Sequence, residues 1–386
     1  MQKKLIALAV AGLASTAAFA QTNVTIYGVV DAGYAYSSGE NRGSLGNNAN
    51  FSGIQSGILA GSRIGFKGEE ALGNGLKAIF TLEYGIANDV DGGVGTGTGA
   101  LGTRQSFIGL SHDKLGTVAL GRQYAPGYMA TTRNDALASS VPSALVQMNT
   151  AGVNTIQGGS NARVNNSIAY VSPNWSGFTA TAAYAFAENV PSANAAGNGV
   201  STGNNGVYAL GLNYANGPLN LDAVYQSRQG VSASAAAGTA AAFGRPAVAA
   251  HVATQDSINE WFLGGSYDFK VVKLMATYQD QNDNNGTSAT EIGNKVWSVG
   301  AVVPVFGNGK IHASYADISW DRRGAGDSNA WTLAYTHALS KRTTLYTGYT
   351  HASNDKDVVA AAGAVAATRA IGESNSTFVA GINHSF

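Results

Sequence analysis

The chain has 386 residues, a formal net charge of zero and 12% charged residues, where about 25% is usual for a soluble domain. Neutrality argues against a nucleic-acid binder that works by bulk charge. The absence of cysteine excludes disulfides, thiolate-bound zinc and a thiol nucleophile.

The first predicted element is a leader. MQKKLIALAVAGLASTAAFA begins with Lys3 and Lys4, continues as a short apolar run from Leu5 and ends in Ala18-Phe19-Ala20. A basic start, an apolar centre and an A-x-A ending predict a secretory signal, residues 1–20, cleaved after Ala20. The apolar run is too short and too rich in small residues to favour a spanning helix. Loss of Lys3 and Lys4 leaves the mature chain with two fewer bases than its 23 acids. Beyond the leader, no stretch approaches the roughly 20 apolar residues that cross a bilayer as a helix. Exported, charge-poor and rich in glycine, the chain fits a membrane β-barrel, with a secreted all-β protein as the competitor.

Segments of about ten residues with period-two alternation follow, each read as a strand. In GSRIGFKGEE (61–70), Ile64 and Phe66 oppose Arg63 and Lys67. LKAIFTLEY (76–84) sets Leu76, Phe80 and Leu82 against Lys77, Thr81 and Glu83. FTATAAYAF (178–186), YALGLNY (208–214), LNLDAVYQ (219–226) and WTLAYTH (331–337) repeat the pattern, with Tyr, Trp or Phe near the strand ends. Aromatics at strand ends suit the girdles of two bilayer interfaces better than the middle of a soluble core.

Short connections at 69–75, 112–116, 172–177, 215–218, 267–270, 304–309 and 338–342 alternate with longer ones near 37–56, 88–100, 124–161, 188–204, 230–255, 282–290, 321–328 and 353–371. Seven turns and eight loops predict sixteen antiparallel strands in one all-β transmembrane barrel, spanning residues 21–386. The longest connection, 124–161, exceeds the length at which a loop usually has a function. The last strand, STFVAGINHSF, ends on the aromatic Phe386.

VTIYGVVDAGYAY, SRIGFKGEEALGNGLKAIFTLEYG, RQSFIGLSHDKLGTVALGRQY, NSIAYVSPNWSGF, ALSKRTTLY and the terminal GINHSF together resemble the trimeric general porins of Gram-negative bacteria, in pattern those of β-proteobacteria such as Burkholderia and Neisseria. The resemblance implies a homotrimer in outer-membrane lipid and lipopolysaccharide, assembled through a C-terminal signal ending in Phe386. It implies short turns at the periplasmic rim, long external loops, a third loop folded into the lumen, and small hydrophilic solutes as cargo. It implies no cofactor and no nucleic-acid partner.

A passive pore needs no nucleophile, only a lumen whose charges and width set what passes. Basic residues gather on the early strands: Arg63, Lys67, Lys77, Arg104, Arg122 and Arg163. The resemblance assigns Arg63, Arg122 and Arg163 to an arginine ladder at the constriction and Arg104 to a further basic position, with Lys67 beside them. Alternation turns Arg63 and Arg163 away from their apolar neighbours. By the same test Arg122 shares a face with Val118 and Leu120, and Arg104 with Ile108 and Leu110. On the acidic side stand Asp135, the one acid of the long loop, with Glu83 and, further off, Asp31. So thin an acidic side predicts a weak to moderate preference for anions.

Six scattered histidines share no spacing and predict no metal site. GGVGTGTGALG (92–102) lacks the following helix of a phosphate cradle, and the sequon NNS (165–167) sits in strand context. The alternatives are a substrate-specific channel, an outer-membrane enzyme on the same barrel, or a secreted adhesin. An enzyme needs a clustered Ser/His/acid set, and a sugar channel needs inward-facing rings. The sequence offers neither pattern.

Overall fold

The computed structural model describes residues 23–39, 51–90, 103–159, 162–186, 206–229, 256–284, 291–321, 326–355 and 374–386. The leader and the glycine-rich stretch 92–102 lie outside them.

The described strands form one closed antiparallel sheet. Strand β1 (Asn23–Gly39) pairs along one edge with β17 (Asn375–Ser385). Its other edge takes β2 (Phe51–Ser56) and then β3 (Arg63–Gly73), which lie end to end as one interrupted barrel strand. The remaining strands each pair with the next: β4 (Leu76–Gly85), β5 (Thr103–His112), β6 (Gly116–Tyr124), β7 (Arg163–Val171), β8 (Phe178–Ala185), β9 (Val207–Asn216) and β10 (Leu219–Arg228). The series continues through β11 (Ile258–Asp268), β12 (Lys273–Asp283), β13 (Asn294–Val305), β14 (Gly309–Trp320), β15 (Asp327–Ala338) and β16 (Thr343–Asn354) to β17. Seventeen segments thus occupy sixteen barrel positions. Terminal Phe386 closes the seam, exchanging both backbone hydrogen bonds with Gly28 at 3.1 Å. Closure leaves no open edge, which lipid could not satisfy.

Short turns gather at one rim and long loops at the other. The β3–β4 turn contains Asn74 and Gly75 at φ 51° and 80°, the left-handed pair that a tight hairpin requires. One boundary differs from the sequence reading. FSGIQS lacks a clear alternation and falls within the expected first loop, yet it forms β2. The long upper half of β1 needs a partner there.

Burial along the strands is the inverse of a soluble sheet. Ile108, Leu210, Leu263 and Leu333 are exposed on the outer face, while Asp222, Glu260, Gln279, Thr332 and Thr350 are buried on the inner one. Trp297 packs on Tyr315, Trp331 on Tyr349 and Trp261 on Tyr278 near the long-loop rim. Phe178–Tyr214 and Tyr267–Phe269 form a second band near the turns.

The 124–161 connection enters the barrel. It carries helix α1 (Pro126–Arg133), opened by a proline whose missing N–H is harmless there, and α2 (Ala144–Ala151). The Ser143 hydroxyl caps α2 by accepting from the Val146 amide at 3.3 Å. Leu145 and Met148 of α2 are buried against Val296, Ile318, Ala330 and Ala352 of the wall. Polar bonds fasten the rest. Val141 donates to the Ile58 carbonyl at 3.0 Å, Gln147 to Thr350 at 2.7 Å, and Gln281 to the Gly152 carbonyl at 3.0 Å. The third long loop is therefore folded into the lumen and spans it.

Candidate functional site

The inner wall of β3 to β7 holds a cluster of cations around one carboxylate. Glu83 on β4 is buried; its Oε1 accepts from Arg104 Nε at 2.5 Å, and Arg63 Nε lies 3.5 Å from its Oε2. Tyr27 of β1 donates to the same oxygen at 3.1 Å, crossing above Gly65. A Cβ on Gly65 would lie 2.3 Å from the Tyr27 ring, so only glycine leaves room for this crossing. Arg63 also donates through Nη1 to the Gly61 carbonyl at 3.0 Å, which fixes its second direction.

Alternation alone sets Arg104 beside Ile108, which is 63% exposed on the outer face. A β-bulge changes that. Leu82 faces Ser106 and Tyr84 faces Thr103, so β5 carries one residue more than β4 over this interval. The extra residue brings the Arg104 guanidinium to Glu83.

Tyr124, where β6 leaves the wall, joins the next two cations. Its hydroxyl accepts from Arg104 Nη2 at 3.1 Å and from Arg163 Nη2 at 3.3 Å, and the Arg163 guanidinium sits 5.0 Å from its ring centroid. The ring stacks on Tyr128 of α1 at 3.6 Å. Burial pushes the Tyr128 phenol up to about 12, so it adds no negative charge here near neutral pH. Lys67, turnward of the cluster, lies 5.4 Å from the Tyr27 ring. Arg122 is held apart: its Nε donates to the Thr103 carbonyl at 3.0 Å, and its guanidinium meets Asn165 in the β7 bulge. Arg63, Arg104 and Arg163, with Lys67 nearby, thus form the group that the structure brings together.

The other expected acids are engaged in holding backbone. Asp31 is fully buried; it accepts from the amides of Ile58, Ala60 and, at 3.4 Å, Leu59, from the Tyr346 hydroxyl and from the Asn383 side chain. It clamps the break between β2 and β3. Asp135 lies inside the long loop, accepting from the Ser139 amide at 2.6 Å. Burial pushes its carboxyl above the usual carboxylate range, against the pull of the backbone donors around it. Neither is arranged as a free charge facing Arg63 or Arg104.

Two further wall acids escaped the sequence reading. Asp222 on β10 takes both Nε and Nη2 of Arg133, together with the side-chain amides of Asn134, Asn213 and Asn220. Glu260 on β11 accepts from the Thr155 and Ile156 amides, the Thr155 hydroxyl and Arg228 Nη2 at 2.8 Å. Their inward parity was legible, but that they anchor a distant loop was not.

This arrangement can attract anions through water and hold a loop across their path. Comparisons with known proteins bear on the fold and the family. A family model described as Gram-negative porin matches residues 7–357. An outer membrane porin protein of Bordetella pertussis is 31% identical over 92% of this chain and 95% of its own. Outer membrane porin protein 32 of Delftia acidovorans is 34% identical over the full length of both. The solved structure of an anion-selective porin from Comamonas acidovorans is 28% identical and superposes with a TM-score of 0.72 over 95% of this chain and all of that one. A closed sixteen-position barrel, a loop folded across its lumen and full-length relatives agree: the chain belongs to the Gram-negative porins of the outer membrane.

Proposed function

We propose that this general diffusion porin favours anions, and that its constriction lies between the loop at 124–161 and the wall bearing Arg63, Arg104 and Arg163, with Lys67 on the turnward approach. One observation carries the proposal. Glu83 is the acid beside Arg63 and Arg104, and Glu69, on the face of Lys67, pairs with Lys77, while Asp31, Asp222 and Glu260 are held by backbone and side-chain donors. Charges lining a narrow, partly dehydrated passage are screened less than surface charges, so such an excess biases permeation. The anion-selective relative from Comamonas acidovorans supports the same sign.

The channel acts as a passive pore rather than an enzyme. It works as a homotrimer in lipopolysaccharide-containing membrane, is exported by the leader, and is assembled through the strand ending in Phe386. Its solutes are small and hydrophilic. The chloride-to-potassium permeability ratio in planar bilayers tests the constriction. The parent ratio exceeds one and falls toward one in Arg163→Gln. A ratio unmoved by that change removes Arg163 from the path.

A further inference from the structure

We infer that the outer face of β15, β16 and β17, at the turn rim, is a seat for the headgroup of an anionic phospholipid of the phosphatidylglycerol type. This seat faces lipid, so it exists whatever ion the lumen prefers. These strands sort their charges by rim. Between Asp327 and Asp355 the chain has no acid, and β17 has none. Asp317, Asp321, Asp327 and Asp355 all lie toward the long-loop rim, where Lys295 is already held by Asp321 at 2.6 Å. Lys341 and Arg342 stand at the opposite end, exposed in the β15–β16 turn. A phosphate is thus repelled at one rim and attracted at the other.

The turn presents these bases in a fixed frame. The Ser340 hydroxyl accepts from the Arg342 amide at 3.1 Å and from the Thr343 amide at 3.0 Å. Neither the Lys341 ammonium nor the Arg342 guanidinium has a partner among the described residues. Two imidazoles flank β16 on the same outer face. His337 of β15 alternates in step with exposed Leu333, and His384 of β17 with exposed Phe378 and Ile382. The Tyr335 hydroxyl lies 2.9 Å from His337 Nδ1, and the Thr343 hydroxyl 2.9 Å from His384 Nδ1. Nε2 of each ring is left without a partner among the described residues. The nearby acid is the chain terminus, where a Phe386 oxygen takes the Gly28 amide at 3.1 Å.

The apolar half of the seat lies in the two turns. Phe306 is 83% exposed and holds φ 48°, a left-handed turn conformation that Asn74 fills in the β3–β4 turn. The Ala338 amide donates to the Asn308 carbonyl at 3.1 Å, so the Phe306 turn stands beside exposed Leu339. A bare phenyl ring where a small polar residue suits the backbone marks contact with something outside the chain. Both residues continue the lipid face, and apolar side chains next to bases are the usual anchors of a membrane interface. Phosphate oxygens accept from Arg342, Lys341 and the imidazoles, while acyl chains cover Leu339 and Phe306. A zwitterionic lipid brings an ammonium group of its own, which these bases repel.

Native mass spectrometry of the purified mature channel, titrated in detergent with dioleoyl phosphatidylglycerol or phosphatidylcholine, tests the seat. Phosphatidylglycerol half-saturates the parent at a concentration about fivefold or more below phosphatidylcholine. Lys341→Gln/Arg342→Gln removes this difference and leaves phosphatidylcholine binding at the parent level. The swap Lys341→Arg/Arg342→Lys keeps the difference. So does Lys270→Gln, in the β11–β12 turn, where Asp268 lies 3.7 Å from the ammonium. Equal binding of the two lipids by the parent overturns the proposal, as does a double Gln variant that keeps the preference or Lys270→Gln that loses it as fully. Displacement of phosphatidylglycerol by an equal concentration of glycerol 1-phosphate also overturns it, because the bases then read a free phosphate and not a lipid.

Discussion

Asp31, Asp222 and Glu260 show why counting lumen charges misleads. Each is a carboxylate on an inward-facing strand position, and each is surrounded by donors that fix a stretch of chain. A buried carboxylate whose oxygens are taken by several N–H donors is fixed in place and has no oxygen left to turn toward a passing ion. Asp31 gives the clearest test. In Asp31→Asn the group that receives the Ile58 and Ala60 amides loses its charge and one acceptor oxygen. The expected cost is about 1.5–3 kcal/mol, the usual worth of a hydrogen bond to a charged group. Urea unfolding of the reconstituted barrel measures it. A variant as stable as the parent contradicts the clamp at the β2–β3 break.

The element that matters most is the inward loop, and its grip on the wall is both apolar and polar. Met148 is fully buried among Val296, Ile318 and other wall residues, so Met148→Ala leaves a cavity under α2. Core truncations of this kind cost about 2–5 kcal/mol, charged here to the docking of the loop. The expected readout is greater open-channel noise and closure at lower voltage; a quiet, parent-like channel contradicts it. Alternation made the strands legible in the sequence, because one face must meet lipid and the other water. It failed at Arg104, where a bulge shifts β5 by one residue, since a bulge leaves no period of its own. It also gave no sign that Asp222 and Glu260 anchor a loop more than 80 residues upstream, because such pairings exist only in the folded lumen.

At the scale of the whole molecule, closure and inversion belong together. The terminal residue pairs with β1, the apolar face turns outward between two aromatic bands, and the polar face encloses a lumen and a crossing loop. The formal charge of the chain is zero, yet its charges are sorted. Three arginines cluster around Glu83 on one wall, with Lys67 and the Glu69–Lys77 pair turnward of them, while Asp31 and Glu260 hold loop and strand backbone. Field focusing in a narrow passage then makes local sorting count for more than the total. The zero-current potential of the unmodified channel across a tenfold potassium chloride gradient tests this most directly. A sign showing chloride more permeant than potassium is predicted, and a potassium-selective sign contradicts it.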